Sequence, residues 1–181
     1  MKMEIDKVFI ETARLKLRTP EDYRLMLQYC PDMVDEIANG VGSETSWTYH
    51  LTPDTIYGLN INPTSHPHDW MYTFPLVFAS VAEGLAWKRK ADFWFACNLA
   101  TQINDGSRIL RPLRNARRDT YIEALKIGGD AAFWADKPLP PDFYDYYDIT
   151  PEYSVTRVKR LTEIEATSIK LIEEYYDEAA V

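Results

Sequence analysis

From Val81 to Asn104 the chain runs without a proline, and Leu85, Trp87, Ala91, Phe95, Leu99 and Ile103 recur at helical spacing to form one apolar stripe. Asn104-Asp105-Gly106 supplies a stop. This longest helix requires neighbours to cover its stripe, and the rest of the sequence offers further helices, so the expected fold class is mainly α. Asp92 sits in the middle of the helix, between Ala91 and the run Phe93-Trp94-Phe95. Burying an unpaired carboxylate is expensive, so Asp92 either faces water beside Lys88 and Arg89 or meets a specific partner.

The second constraint is His66-Pro67-His68-Asp69-Trp70-Met71-Tyr72. It gathers an imidazole, a carboxylate and a phenol between His68 and Tyr72, in a chain with only 3 histidines. If the stretch is helical, His68 and Tyr72 share a face and Asp69 points about a quarter-turn away. A base and a metal ligand then serve neighbouring points in space. Pro67 suits the first turn, where its missing N–H costs nothing, with Thr64 or Ser65 as the cap, so the helix is predicted to start just before His68. Upstream, Asn39-Gly40-Val41-Gly42-Ser43 reads either as a helix C-cap with a turn or as a loop whose backbone carbonyls face a common point. Carbonyls so arranged are hard oxygen ligands of the kind calcium takes.

With 181 residues, 46% of them hydrophobic, the chain is long enough for one domain and a tail. Residues 1–137 read as the helical domain. Residues 138–181 read as a Pro/Tyr/Asp-rich linker, without regular structure, followed by an amphipathic helix from Val155 to Tyr176 suited to self-association or docking. A net charge of -8 argues against general nucleic-acid binding and against electrostatic adsorption to anionic membranes. Peripheral membrane contact of another kind stays open. Cys30 and Cys97 are the only cysteines, which suits a reducing compartment. Met1 to Arg18 has no secretory pattern and no long apolar run occurs, so the expectation is a soluble protein, cytoplasmic or exported without a classical signal peptide.

The remaining elements follow from local signals. Residues 7–18 are expected to form a strand or extended arm, from the alternation at Leu15 and Leu17. Thr19-Pro20-Glu21-Asp22 opens a helix to Tyr29, and Asp32 to Ala38 a second after Pro31. Thr52-Pro53-Asp54 is expected to open a single helical turn closed by Gly58. Ser107 to Lys126 is a further helix, ended by Gly128-Gly129, with Ala131 to Ala135 as a separate turn. Its Arg108, Arg111, Arg114, Arg117 and Arg118 read as a solvated, ion-paired face.

Together, His68-Asp69-Trp70-Met71-Tyr72 and Asp92 resemble the phospholipase A2 superfamily, in particular its disulfide-poor bacterial and viral-type branches. In that family a helix carrying His-Asp-x-x-Tyr packs antiparallel to a second helix carrying an Asp. The resemblance covers roughly residues 37–100, and Met71 stands where secreted members have a cysteine. It implies a calcium-dependent hydrolase of phospholipid acyl esters at the sn-2 position, with phospholipid or another acyl ester as substrate. His68 would be the base that activates water, Asp92 its orienter and Tyr72 a hydrogen-bond donor to Asp92. Asp69 would bind calcium together with the backbone carbonyls of Gly40, Val41 and Gly42. Two other readings stand beside it. One is a zinc or iron site built from His66, His68 and Asp69, with His50 as a further ligand. The other is a catalytically inactive scaffold of the same shape that acts in assembly or interaction.

Overall fold

The computed structural model describes residues 2–38 and 55–179. Among them, eight helices and one short hairpin follow in the order α1 (Lys2–Arg14), α2 (Glu21–Tyr29), α3 (Pro31–Ala38), β1 (Thr55–Ile56), β2 (Leu59–Asn60), α4 (Asn62–Thr73), α5 (Val81–Asp105), α6 (Arg111–Trp134), α7 (Phe143–Tyr146) and α8 (Val155–Ala179). The fold is mainly α, as expected.

The helix that carries His68 is covered on nearly all sides. In α4, Pro63, Thr64, His66, Pro67, His68, Trp70, Met71, Tyr72 and Thr73 are all buried. A helix surrounded in this way needs no polar face, which is why its sequence shows little amphipathic pattern. Trp70 and Phe74 point into a first core with Ile5, Val8, Tyr23, Met26 and Val34, to which Leu161 and Ile164 of α8 also belong. Met71 and Tyr72 face a second core with Val81, Ala91, Phe133, Trp134 and Phe143. Ile61, just before α4, joins a third with Ile56, Phe95, Leu99, Ile103 and Tyr121.

Helices α4 and α5 run antiparallel, as their side-chain bonds establish. Thr64 bonds Gln102, Tyr72 bonds Asp92, and the Trp87 indole bonds the carbonyls of Met71 and Phe74. Rising numbers on one helix meet falling numbers on the other. The C-terminal end of α4 is firmly held: Trp87 Nε1 donates to Met71 O and to Phe74 O, each at 2.8 Å, and Lys137 Nζ donates to Tyr72 O. Carbonyls left over at a helix end thereby find donors.

Several local expectations are corrected. Residues 7–18 do not form a strand: α1 is helical to Arg14, because Ile5 and Val8, three apart, are the positions that bury. The turn expected to close at Gly58 is a hairpin turn, with Thr55 paired to Asn60 and Ile56 to Leu59. Tyr57 and Gly58 take φ of 46° and 74°, the positive pair that a two-residue hairpin loop requires. Helix α4 starts earlier than predicted. Pro63 fills its first turn, Asn60 Oδ1 accepts from Asn62 N–H at 2.9 Å, and Pro67 lies inside the helix. Gly128-Gly129 does not end α6, which continues to Trp134 and absorbs the separate turn expected at Ala131 to Ala135. The segment after Lys137 is not wholly irregular, since α7 buries Phe143 against Trp134. Nor is the arginine run uniformly solvated: Arg114 is buried and donates to Tyr57 O at 2.9 Å, tying α6 to the hairpin.

Gly84 sets the approach between α5 and the end of α6. A Cβ there would lie 2.3 Å from the ring of Trp134, which is itself fully buried. Helix propensity alone favours Ala over Gly by about 1 kcal/mol. Overpacking a filled core typically costs about 1–3 kcal/mol. Gly84→Ala should therefore lower the denaturant midpoint measured by circular dichroism, the opposite sign to the propensity effect.

Candidate active site

His68 and Tyr72 stand one turn apart on α4, with ring centroids 4.2 Å apart. Both reach across to Asp92 on α5. Tyr72 OH donates to Asp92 Oδ1 at 2.7 Å, and His68 Nε2 lies 3.1 Å from the same oxygen. The other ring nitrogen, His68 Nδ1, lies 3.6 Å from Asp69 Oδ1. The imidazole thus sits between two carboxylates, with Phe95 of α5 packed beside it at 4.9 Å between centroids. The side chains of Asp69 and Asp92 are 27% and 25% exposed, whereas that of His68 is 8% exposed, so the acids edge toward solvent and the imidazole is recessed.

Electrostatics follow from this placement. Burial pulls the His68 pKa down, but the negative charges of Asp69 and Asp92 beside its two ring nitrogens outweigh it and leave the imidazole above its ordinary value. For Asp92, burial acts to raise the pKa, and it is overcome by His68, Tyr72 and Lys88, so the carboxyl titrates below the usual range. Tyr72 is pushed up, first by burial and then by the charge of Asp92, and remains a phenol that donates. An Nε2–H pointed at Asp92 leaves the Nδ1 lone pair for chemistry.

The predicted residues His68, Asp69, Tyr72 and Asp92 are therefore brought together. Gly40, Val41 and Gly42 lie outside the described residues, as does His50. Among the described residues, no group of three or more His, Cys, Asp or Glu side chains is placed to hold a metal. That disfavours a zinc or iron centre built on His66, His68 and Asp69 alone. A calcium ion differs in what it needs, because backbone carbonyls and water complete its shell around few carboxylates. Asp69 fits such a role: it is partly exposed, and among the described residues no Lys or Arg pairs with it.

The sequence reading missed three residues at the site. Lys88, taken for the neighbour of a solvated Asp92, is buried, and its Nζ donates to Asp92 Oδ2 at 2.9 Å. Gly129 on α6 faces this pair: a Cβ there would lie 2.9 Å from Tyr72 OH and 3.0 Å from Lys88 Nζ. Asp130 brings Oδ1 to 3.4 Å from Lys88 Nζ. The i,i+4 spacing of Lys88 and Asp92 was visible, but it describes surface pairs equally well.

Comparison with protein-family models, with curated proteins and with solved structures finds no match for this chain.

Lys137, which holds the end of α4 at Tyr72 O, gives a pH signature. Burial pulls its pKa from 10.5 to about 7, against the opposing charges of Asp136 and Glu165. Unfolded, the lysine keeps its proton up to its ordinary pKa, so between these values the unfolded chain binds more protons and stability rises with pH. Above pH 10 the sign reverses, because Tyr23 and Tyr72 are raised in the fold and lose their protons first when unfolded. Urea titrations between pH 7 and 9.5 should show unfolding free energy rising more with pH, or falling less, in the native protein than in Lys137→Met, the difference being the contribution of Lys137.

Proposed function

We propose that this protein is a calcium-dependent esterase that hydrolyses the sn-2 acyl ester of phospholipids by a phospholipase A2-type mechanism. The observation that carries the proposal is the convergence of His68 Nε2 and Tyr72 OH on one oxygen of Asp92, with Asp69 beside the opposite ring nitrogen. Asp92 holds the imidazole in the tautomer that presents a basic Nδ1 on the side of Asp69. Tyr72 anchors Asp92 so that the carboxylate keeps its direction when the ring gains charge.

His68 Nδ1 takes a proton from a water molecule as its oxygen attacks the acyl carbon. His68 then returns that proton to the departing glycerol oxygen, and the carbon–oxygen bond of the ester breaks. The products are a fatty acid and a lysophospholipid, with His68 neutral again. Asp69 is the protein carboxylate that would hold calcium, with carbonyls of Gly40, Val41 and Gly42 as the expected further ligands. An ion held there would supply positive charge for the negative charge that develops on the ester carbonyl oxygen. Phe95, against the imidazole, shields the base from competing solvent.

The test compares the native protein, His68→Ala and Asp69→Asn in fatty-acid release from phosphatidylcholine vesicles, with calcium or with chelator. Loss of the base should reduce turnover by about 100 to 10,000-fold while circular dichroism stays native. Asp69→Asn should lose both the calcium-dependent release and the heat of calcium binding in calorimetry. Full activity of His68→Ala would remove His68 from the role of base.

A further inference from the structure

We infer that Lys88 is a positioning residue for the catalytic dyad: set between Asp92 and Asp130, it fixes the carboxylate plane of Asp92 so that one oxygen serves His68 and Tyr72. This inference rests on the esterase reading for its catalytic consequence, but its structural part stands on distances alone. Asp92 divides its two oxygens cleanly. Oδ1 accepts from Tyr72 at 2.7 Å and faces His68 Nε2 at 3.1 Å, while Oδ2 accepts from Lys88 Nζ at 2.9 Å. A carboxylate with donors on only one oxygen is free to rotate about its terminal bond, and the line to the imidazole then opens. With Oδ2 held, the plane is set.

Lys88 is itself held from another helix. Its Nζ lies 3.4 Å from Asp130 Oδ1, 3.5 Å from Leu125 O and 5.6 Å from the centroid of the Tyr72 ring. Asp130 is anchored in turn by Tyr147 OH, which donates to its Oδ2 at 3.0 Å. A continuous series therefore runs Tyr147, Asp130, Lys88, Asp92, His68, from the segment after α6 to the base. Gly129 makes room for it, since any Cβ there would press on Lys88 Nζ and Cε and on Tyr72 OH. Along this series Lys88 is the cation between the carboxylates of Asp92 and Asp130.

The test uses Lys88→Met, which keeps the length of the side chain without its charge, and Asp130→Asn, at a side chain 39% exposed where folding is safe. Two readouts are taken at pH 7.5. One is kcat and KM on vesicles with calcium. The other is the tautomer pattern of the ¹⁵N-labelled His68 imidazole by NMR, assigned by its loss in His68→Gln. The expected result for Lys88→Met is a fall in kcat of about 10 to 100-fold with KM little changed, the size of a small misplacement of a reacting group, together with loss of the bonded Nε2–H signal. Asp130→Asn should weaken both readouts in the same direction by less. Should Lys88→Met fail to fold, Asp130→Asn decides alone. Native kcat and an unchanged His68 pattern in a folded variant overturn the inference. If no form hydrolyses lipid, the NMR pattern still decides the positioning role, and the failure then belongs to the esterase reading.

Discussion

Everything at the site depends on how a half-buried carboxylate is kept charged. Asp92 lies on a helix between Ala91 and Phe93, where an unpaired acid would be strongly disfavoured. Three groups from two helices meet its two oxygens: Tyr72 and His68 from α4, and Lys88 from its own helix, one turn back. Removing one partner weakens the compensation of a charge only 25% exposed, and so destabilises the packing of the two helices. The cluster therefore ties the register of α4 against α5, and the geometry of the imidazole follows from that register.

The scaffold is built to hold that register. α4 is enclosed on most of its surface, and its C-terminal carbonyls are taken by Trp87 from α5 and Lys137 from beyond α6. At the other end, Thr64 and Gln102 meet in a buried contact. Two glycines admit the closest approaches: Gly84 the Trp134 ring, Gly129 the Lys88 and Tyr72 tips. Helix α8 completes the packing from the far side, with Leu161 and Ile164 in the core shared with α1 to α4, and Glu165 Oε1 accepting from Leu76 N–H at 2.9 Å.

How much of this could be read from the residues varies with the physics of each element. α5 was legible almost to its ends, because a long proline-free run with Ala91, Phe95, Leu99 and Ile103 at helical spacing is closed by Gly106. The start of α4 was not, because a helix buried all round has no polar face to mark, and Pro63 and Pro67 offer two equally good first-turn positions. α1 was mistaken for an extended arm, since Leu15 and Leu17 alternate over too short a span to outweigh Ile5 and Val8. Gly128-Gly129 reads as a stop by local rules, but tertiary contact with Lys88 and Tyr72 overrides them. At the site, the His-Asp-x-x-Tyr spacing carried His68, Asp69 and Tyr72, and Asp92 was marked by its apolar surroundings. Lys88, Gly129 and Asp130 belong to contacts between helices, which no local spacing encodes.

The most direct test of the central claim is hydrolysis in ¹⁸O-labelled water. Vesicles of a phosphatidylcholine with different acyl chains at sn-1 and sn-2 are incubated with the protein and calcium, and the products are resolved by mass spectrometry. Attack of a His68-activated water on the acyl carbon predicts that the sn-2 fatty acid alone is released and carries one ¹⁸O, with none entering the lysophospholipid. Absence of release, release from sn-1, or label in the lysophospholipid would contradict it.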